Sequence, residues 1–252
     1  MEPNNNPNIT PEGYFKLTYF PDTEPHTPLE EVIQFIYDCK EYEEEYQPWT
    51  RKTKTELLNG INNVLLPACE EGNQDAIYWI YYAYFWIPDL GMGTEKALEY
   101  LTILANYGYP DLQYELGYHC FDIDFPEMGW RSRQCKAAYW LKKAADQGWV
   151  DAMYLLGTIY NYFHWGVRHY RKRAFVWLKR AAELGHEEAM GDLSLYYKVG
   201  VGTKKDLAKA AEWAEKAGWH QQAERLRNGE FDYDENGLKF YPLSEFEPGS
   251  PF

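Results

Sequence analysis

Large apolar residues return every three or four positions through the middle of the chain. The period is clearest over residues 137–160, AAYWLKKAADQGWVDAMYLLGTIY. Ala137, Trp140, Leu141, Ala144 and Ala145 fall at i, i+3, i+4, i+7 and i+8, one apolar face of a 3.6-residue period, while Lys142, Lys143 and Asp146 fall elsewhere and can face water. The spacing predicts an amphipathic helix ending at Gly148, because a glycine past the last turn enters the left-handed conformation cheaply. Asp151 then opens another helix, where an acid can cap free N–H groups and complements the helix dipole. In that helix Ala152 and Gly157 lack bulk, so neighbouring helices can come close, and Leu156 and Tyr160 fill the space between them.

The same writing recurs. Glycines stand at Gly72, Gly108, Gly148 and Gly185, in steps of 36, 40 and 37. Three residues after each comes an acid, Asp75, Asp111, Asp151 or Glu188, followed by Ala76, Leu112, Ala152 or Ala189. Ile80, Leu116, Leu156 and Leu193 follow four further on. A second element in each unit carries Ala97, Ala137, Ala174 and Ala210, each preceded by Lys or Arg and followed three residues later by Tyr100, Trp140, Trp177 or Trp213. Several marks in one register read as four two-helix units. One hairpin cannot bury both its faces, whereas stacked hairpins can, so the pattern predicts an α-solenoid in which each unit covers the one before it.

These residues resemble the Sel-1-like repeat (SLR), a relative of the tetratricopeptide repeat. AMYLLG at 152–157 with Tyr160, KAAYWLKKAADQG at 136–148 and GVGTKKDLAKAAEW at 200–213 carry the likeness, which covers about 75–218. It implies an all-α fold, a right-handed α-solenoid of stacked antiparallel helix hairpins. There are departures: Tyr81 and Ser194 stand where the pattern has a helix glycine, Cys120 stands for its tyrosine, and FDIDFPEMGWRSRQ is a long turn. Secreted members clamp each hairpin with cysteines; here those positions hold alanine, or leucine at 112, so that subgroup is not indicated.

The ends differ from the middle. Residues 1–27 form a proline-rich polar segment, 28–71 a helical cap with a kink expected at Pro67, 72–218 the four hairpins, and 219–252 a short closing helix with an acidic tail. Within the tail FDYDENGLKFY reads as a β-hairpin around Asn236-Gly237. DYDENG resembles the start of a calcium loop, but the twelfth position is Leu243 where a glutamate is needed, and Pro242 precedes it.

Composition narrows the function. At 252 residues and 45% hydrophobic, the chain can bury a sizeable core. It has no apolar run long enough to span a membrane, and MEPNNNPNIT lacks the features of a secretory signal, so a cytoplasmic protein is expected. The net charge of -14 disfavours nucleic acid and anionic lipid as partners and favours a basic one. Cys39, Cys69, Cys120 and Cys135 have no metal-ligand spacing and read as buried reduced thiols, although Cys120 and Cys135 could meet across a hairpin. No nucleophile, metal-protease or phosphate-loop motif occurs, the histidines show no ligand spacing, and neither an enzyme nor a cofactor nor a metal site is expected.

By the resemblance, the inner wall of the stack is lined by first-helix positions that packing leaves over. These are Asp75, Tyr78, Tyr82 and Trp86; then Asp111, Tyr114, Tyr118 and Asp122; then Asp151, Tyr154, Thr158 and Tyr162; and last Glu188 and Leu195. Two readings stand side by side: a tyrosine groove with an acidic line that captures a basic partner, or tyrosines that only pack and acids that only cap. RSRQCK, VRHYRKR and TKKDLAK place a basic strip at the turns within hairpins. The resemblance implies an adaptor or scaffold that binds another protein. The alternative is a bacterial immunity protein that neutralises a cognate, basic toxin by direct binding.

Overall fold

The computed structural model describes residue 17 and residues 25–41, 51–87, 93–122, 130–162 and 168–229. The calcium-like stretch, the expected β-hairpin and most of both terminal segments lie outside them. Every regular element among the described residues is a helix. The chain divides into two compact units, Met1–Leu116 and Gly117–Phe252, and the division falls inside one helix, Pro110–Asp122.

The first unit begins with α1 (Pro28–Glu41), whose start is a capping box. Thr27 Oγ1 accepts from the Glu30 N–H at 3.2 Å, and Glu30 Oε2 accepts from the Thr27 N–H at 3.1 Å. α2 (Arg51–Gly60) runs through a π-helical turn, Ile61–Leu65, into α3 (Leu66–Glu70). The helix is therefore not broken at Pro67: the irregularity lies just upstream, in the π-helical turn, and the proline is the second residue of α3. α4 (Gln74–Trp86) packs against α1, α3 and α5 (Gly93–Asn106), and α6 (Pro110–Asp122) follows. Ile33, Ile36, Leu57, Ile61, Leu65, Ile80 and Leu101 are buried in this core. The Gln113 side chain donates from Nε2 to the Ala105 carbonyl at 3.1 Å, which pins α6 to the end of α5.

The second unit continues with α7 (Trp130–Asp146), α8 (Val150–Tyr162), α9 (Arg168–Glu183), α10 (Glu187–Val199), α11 (Leu207–Lys216) and α12 (His220–Arg227). From α7 onward each helix packs on the next. The apolar stripe read from the sequence, Ala137, Trp140, Leu141, Ala144 and Ala145, is wholly buried. α7 and α9 end in Schellman turns. Trp149 N–H reaches Ala144 O and Gly148 N–H reaches Ala145 O, both at 3.1 Å; His186 and Gly185 repeat this onto Ala181 and Ala182. Gly148 and Gly185 both have φ of 101°, which an L side chain rarely adopts.

Paired helices touch most closely where one lacks a side chain. A Cβ at Gly117 would lie 2.7 Å from Leu141 Cγ, and one at Gly157 would lie 2.8 Å from Leu178 Cγ. At the same register α10 has Ser194, whose Oγ donates to the Ala210 carbonyl at 2.8 Å. There the facing leucine position is also reduced, to Ala214. A second recurring contact explains the basic residue three places after each tryptophan. Lys143 lies over Trp140 at 4.5 Å, Arg180 over Trp177 at 4.7 Å and Lys216 over Trp213 at 4.1 Å.

Two expectations change. Cys120 is buried, but Cys135 is exposed on α7, and both are free thiols. The basic stretches Arg131–Lys136 and Arg171–Arg173 are helical, at the starts of α7 and α9, and only Lys204 and Lys205 lie in a connecting turn.

Two glycine substitutions should separate these roles. Gly148→Ala meets nothing within 4 Å, so its cost is the left-handed conformation alone, about 1–2 kcal/mol. Gly157→Ala overpacks Leu178 and is expected to cost about 1–3 kcal/mol, a cost partly recovered when the change is made in a Leu178→Ala background and compared with Leu178→Ala alone. Urea midpoints check both; a neutral Gly157→Ala, or no recovery in the double variant, would contradict the close-approach account.

Candidate partner-binding surface

In the first unit the candidate residues of α4 form a ladder. Asn73 caps the helix, its side chain accepting from the Ala76 N–H at 3.0 Å. Tyr78, Tyr82 and Trp86 follow at i, i+4 and i+8, so their rings lie along one side. Tyr78 stacks on Tyr82 with centroids 6.2 Å apart, and Tyr82 meets Trp86 at 6.4 Å. Along the ladder Tyr78 is half-buried, Tyr82 is 9% exposed and Trp86 is 46% exposed. Asp75, at the foot of the same helix, is 5% exposed, and little of it is offered to solvent.

α6 brings carboxylates to this ladder. Glu115 accepts a hydrogen bond from the Tyr81 hydroxyl, and Tyr81 itself is fully buried. Burial first, and then the charge of Glu115, pushes the Tyr78 and Tyr81 phenols well above their ordinary range, with Asp111 adding to the effect on Tyr78. Both therefore stay protonated and act as hydroxyl donors. Asp111 and Tyr114 are half-buried on α6. The result is a set of aromatic faces with phenol donors and neighbouring carboxylates, suited to a side chain that combines an apolar stem with a cationic head.

In the second unit the candidates divide. Tyr118 is 41% exposed and Asp122 is exposed near the end of α6. Asp151 and Glu188 are exposed, each the second residue of its helix, where a negative charge suits the helix dipole. The capping role is filled one residue before the helix instead, by Asn73 for α4 and His186 for α10. Thr158 turns its hydroxyl back onto the Tyr154 carbonyl at 3.2 Å, and Leu195 is half-buried. Tyr162 closes α8, and its side chain lies outside the description.

His186 gathers three of the candidates. Its ring stacks on Tyr154 with centroids 4.4 Å apart and an interplanar angle of 28°. Nδ1 accepts from the Ala189 N–H at 3.3 Å, and Nε2 lies 3.6 Å from Asp151 Oδ1. Glu188 Oε2 lies 3.2 Å from Nδ1. One face of Tyr154 is thus covered from within the chain. Sequence reasoning missed His186 because it sought ligand spacing, whereas the signal was periodic: at three of the turn glycines the residue that follows touches the first helix of the preceding hairpin. Tyr109 hydrogen-bonds the Gln74 side chain, and the Trp219 ring lies 2.6 Å from where a Gly191 Cβ would sit. Among the described residues no group of three or more His, Cys, Asp or Glu could hold a metal, and no helix is long and apolar enough to cross a membrane.

Residues 136–149, 150–186 and 187–218 match the Sel1 repeat family model. Two solved structures share the fold. The c5321 protein, a protective antigen present in uropathogenic Escherichia coli strains and displaying an SLR fold, matches with TM-score 0.52 and 25% identity over 74% of this chain and 38% of that one. A Sel1 repeat protein from Oxalobacter formigenes matches with TM-score 0.55 and 20% identity over 81% of this chain and 62% of that one. The chain thus spans less than two thirds of either neighbour. Comparison with the curated proteins gives no match. The fold is all-α, built of SLR-type stacked helix hairpins.

The His186 junction should be measurable in stability. His186→Ala loses the cap, about 1 kcal/mol, and the ring stack, about 0.5–1.5 kcal/mol. His186→Asn keeps a capping side chain and should lose only the stack. Thermal melts that rank the two variants in the opposite order would contradict these assignments.

Proposed function

We propose that this chain binds another protein and that the aromatic-acidic side of α4 and α6 is where it does so. Sel1 repeats generally mediate protein–protein interaction, which is the common ground for this reading. The observation that carries the finer statement is the Tyr78–Tyr82–Trp86 ladder, which ends in a half-exposed indole close to carboxylates of α6. Large rings of restricted freedom, set in a supporting shell, are what binding hot spots are made of. Tyr118, exposed on the part of α6 that belongs to the second unit, is a separate candidate contact.

The partner's chemistry follows from charge. With a net charge of -14, a basic surface is drawn in and an acidic one repelled. An adaptor that holds a basic protein meets these conditions. So does an immunity protein that neutralises a basic toxin by direct binding, and the same charge favours it. On this reading the protein acts by holding its partner.

Trp86→Ala and Tyr118→Ala remove exposed side chains and should leave helicity intact. Together they are expected to weaken capture of the native partner by about 30-fold, a loss of about 2 kcal/mol. Co-purification from the native cell, followed by titration of the partner found, checks this. Unchanged affinity in the double variant would remove the ladder from the interface.

A further inference from the structure

α10 carries an acidic feature that neither capping nor the His186 junction uses. Glu188, Asp192 and Tyr196 stand at i, i+4 and i+8 and share one side of the helix. Asp192 is partly buried, and among the described residues its carboxyl has neither a hydrogen bond nor an ion pair. Tyr196 is 2% exposed, and its hydroxyl is buried without a hydrogen-bond partner.

Most of the charged groups around this feature are committed elsewhere, although Arg171 of α9 keeps a buried Nε without a hydrogen-bond partner. Glu188 lies against His186, and His186 also faces Asp151 of α8. From α9, Arg171 acts on the Tyr196 phenol but is not among the influences on Asp192. From α11, Lys209 pairs with Asp206 and lies over the Tyr197 ring. Burial, and after it the charge of Glu188, pushes the Asp192 carboxyl up to about 6. At neutral pH it is therefore ionised, half-buried and unpaired, a condition that costs the folded chain and that an incoming cation relieves. A buried hydroxyl one turn further along, itself lacking a partner, points the same way.

We propose that Asp192, with Glu188 before it and the Tyr196 hydroxyl after it, receives a basic side chain, a lysine ammonium or an arginine guanidinium, from the protein this chain binds. The ammonium or guanidinium donates to the Asp192 carboxylate, and one of its retained waters can meet the Tyr196 hydroxyl. A metal ion is not the occupant, because too few His, Cys, Asp and Glu ligands converge among the described residues. The proposal rests on the protein-binding reading only for the source of the cation.

A fluorescently labelled octa-lysine peptide, titrated into the full chain, tests it. At about pH 7.5, Asp192→Asn should weaken binding about five-fold or more, whereas Glu187→Gln, which removes one acid outside the cluster, should change it less than about two-fold. Wild-type affinity should fall as pH is lowered from about 7.5 to about 5.5, through the range where Asp192 takes up its proton, and Asp192→Asn should lose that part of the pH dependence. Equal losses in Asp192→Asn and Glu187→Gln, or a pH response unchanged in Asp192→Asn, would overturn the proposal. The α4 reading is tested by different variants against the native partner, so either can fail alone.

Discussion

In the α6–α7 and α8–α9 pairs, the decisive contact is made where a helix presents no side chain. Gly117 lets Leu141 onto the backbone of α6, and Gly157 lets Leu178 onto that of α8. A leucine seated on bare backbone fixes both the separation of two helices and their rotation about their own axes. Rotation decides which positions of the first helix point inward and which remain for other uses. The α10–α11 pair reaches a similar end by other means, with a serine hydroxyl bonded to a carbonyl of the facing helix. A steric seat has become a polar one, and the facing leucine has become alanine in step.

Once rotation is fixed, the junctions between hairpins follow. The residue after each turn glycine begins a helix and, at Tyr109, His186 and Trp219, also touches the first helix of the preceding hairpin. Each solution is complementary: a phenol to an amide, an imidazole to a phenol ring, an indole to a glycine. These junctions draw on the same side chains as the candidate surface. Tyr154 gives one face to His186, and Tyr82 gives most of its area to the core of α4, while Trp86 keeps half of its own. A tyrosine on the inner wall is thus neither purely structural nor purely available, and its share is set by the residue that caps the next hairpin.

The hairpin architecture was legible in the sequence because it rests on marks that repeat. Glycines at φ near 100°, alanines at helix crossings and tryptophans followed by a base all have a reason that recurs in each unit. The π-helical turn at Ile61–Leu65 was not legible, since it lies outside the repeat and Pro67 drew attention to itself. Asp75 is buried although Asp151, its counterpart, is exposed; the repeat cannot distinguish them, because the difference comes from what surrounds each unit. Asp192 and Glu115 were invisible for a related reason. They occupy equivalent first-helix positions, but the counterpart between them is Leu155, so no pattern marks the site as polar.

A general solubilising coat and a directed surface would distribute charge differently. A coat would interleave bases with acids on every helix, as the second helices do with Lys142–Asp146 and Lys179–Glu183. The first helices do not follow this rule. α4, α6 and α8 contain no lysine or arginine, and α10 contains only Lys198, whereas α7 and α9 are rich in both. On the second helices Lys143, Arg180 and Lys216 are further held over tryptophan rings. The cations are thus gathered on one class of helix, while the other class keeps carboxylates with little to neutralise them. Such sorting costs the folded chain self-repulsion that a mixed surface would avoid.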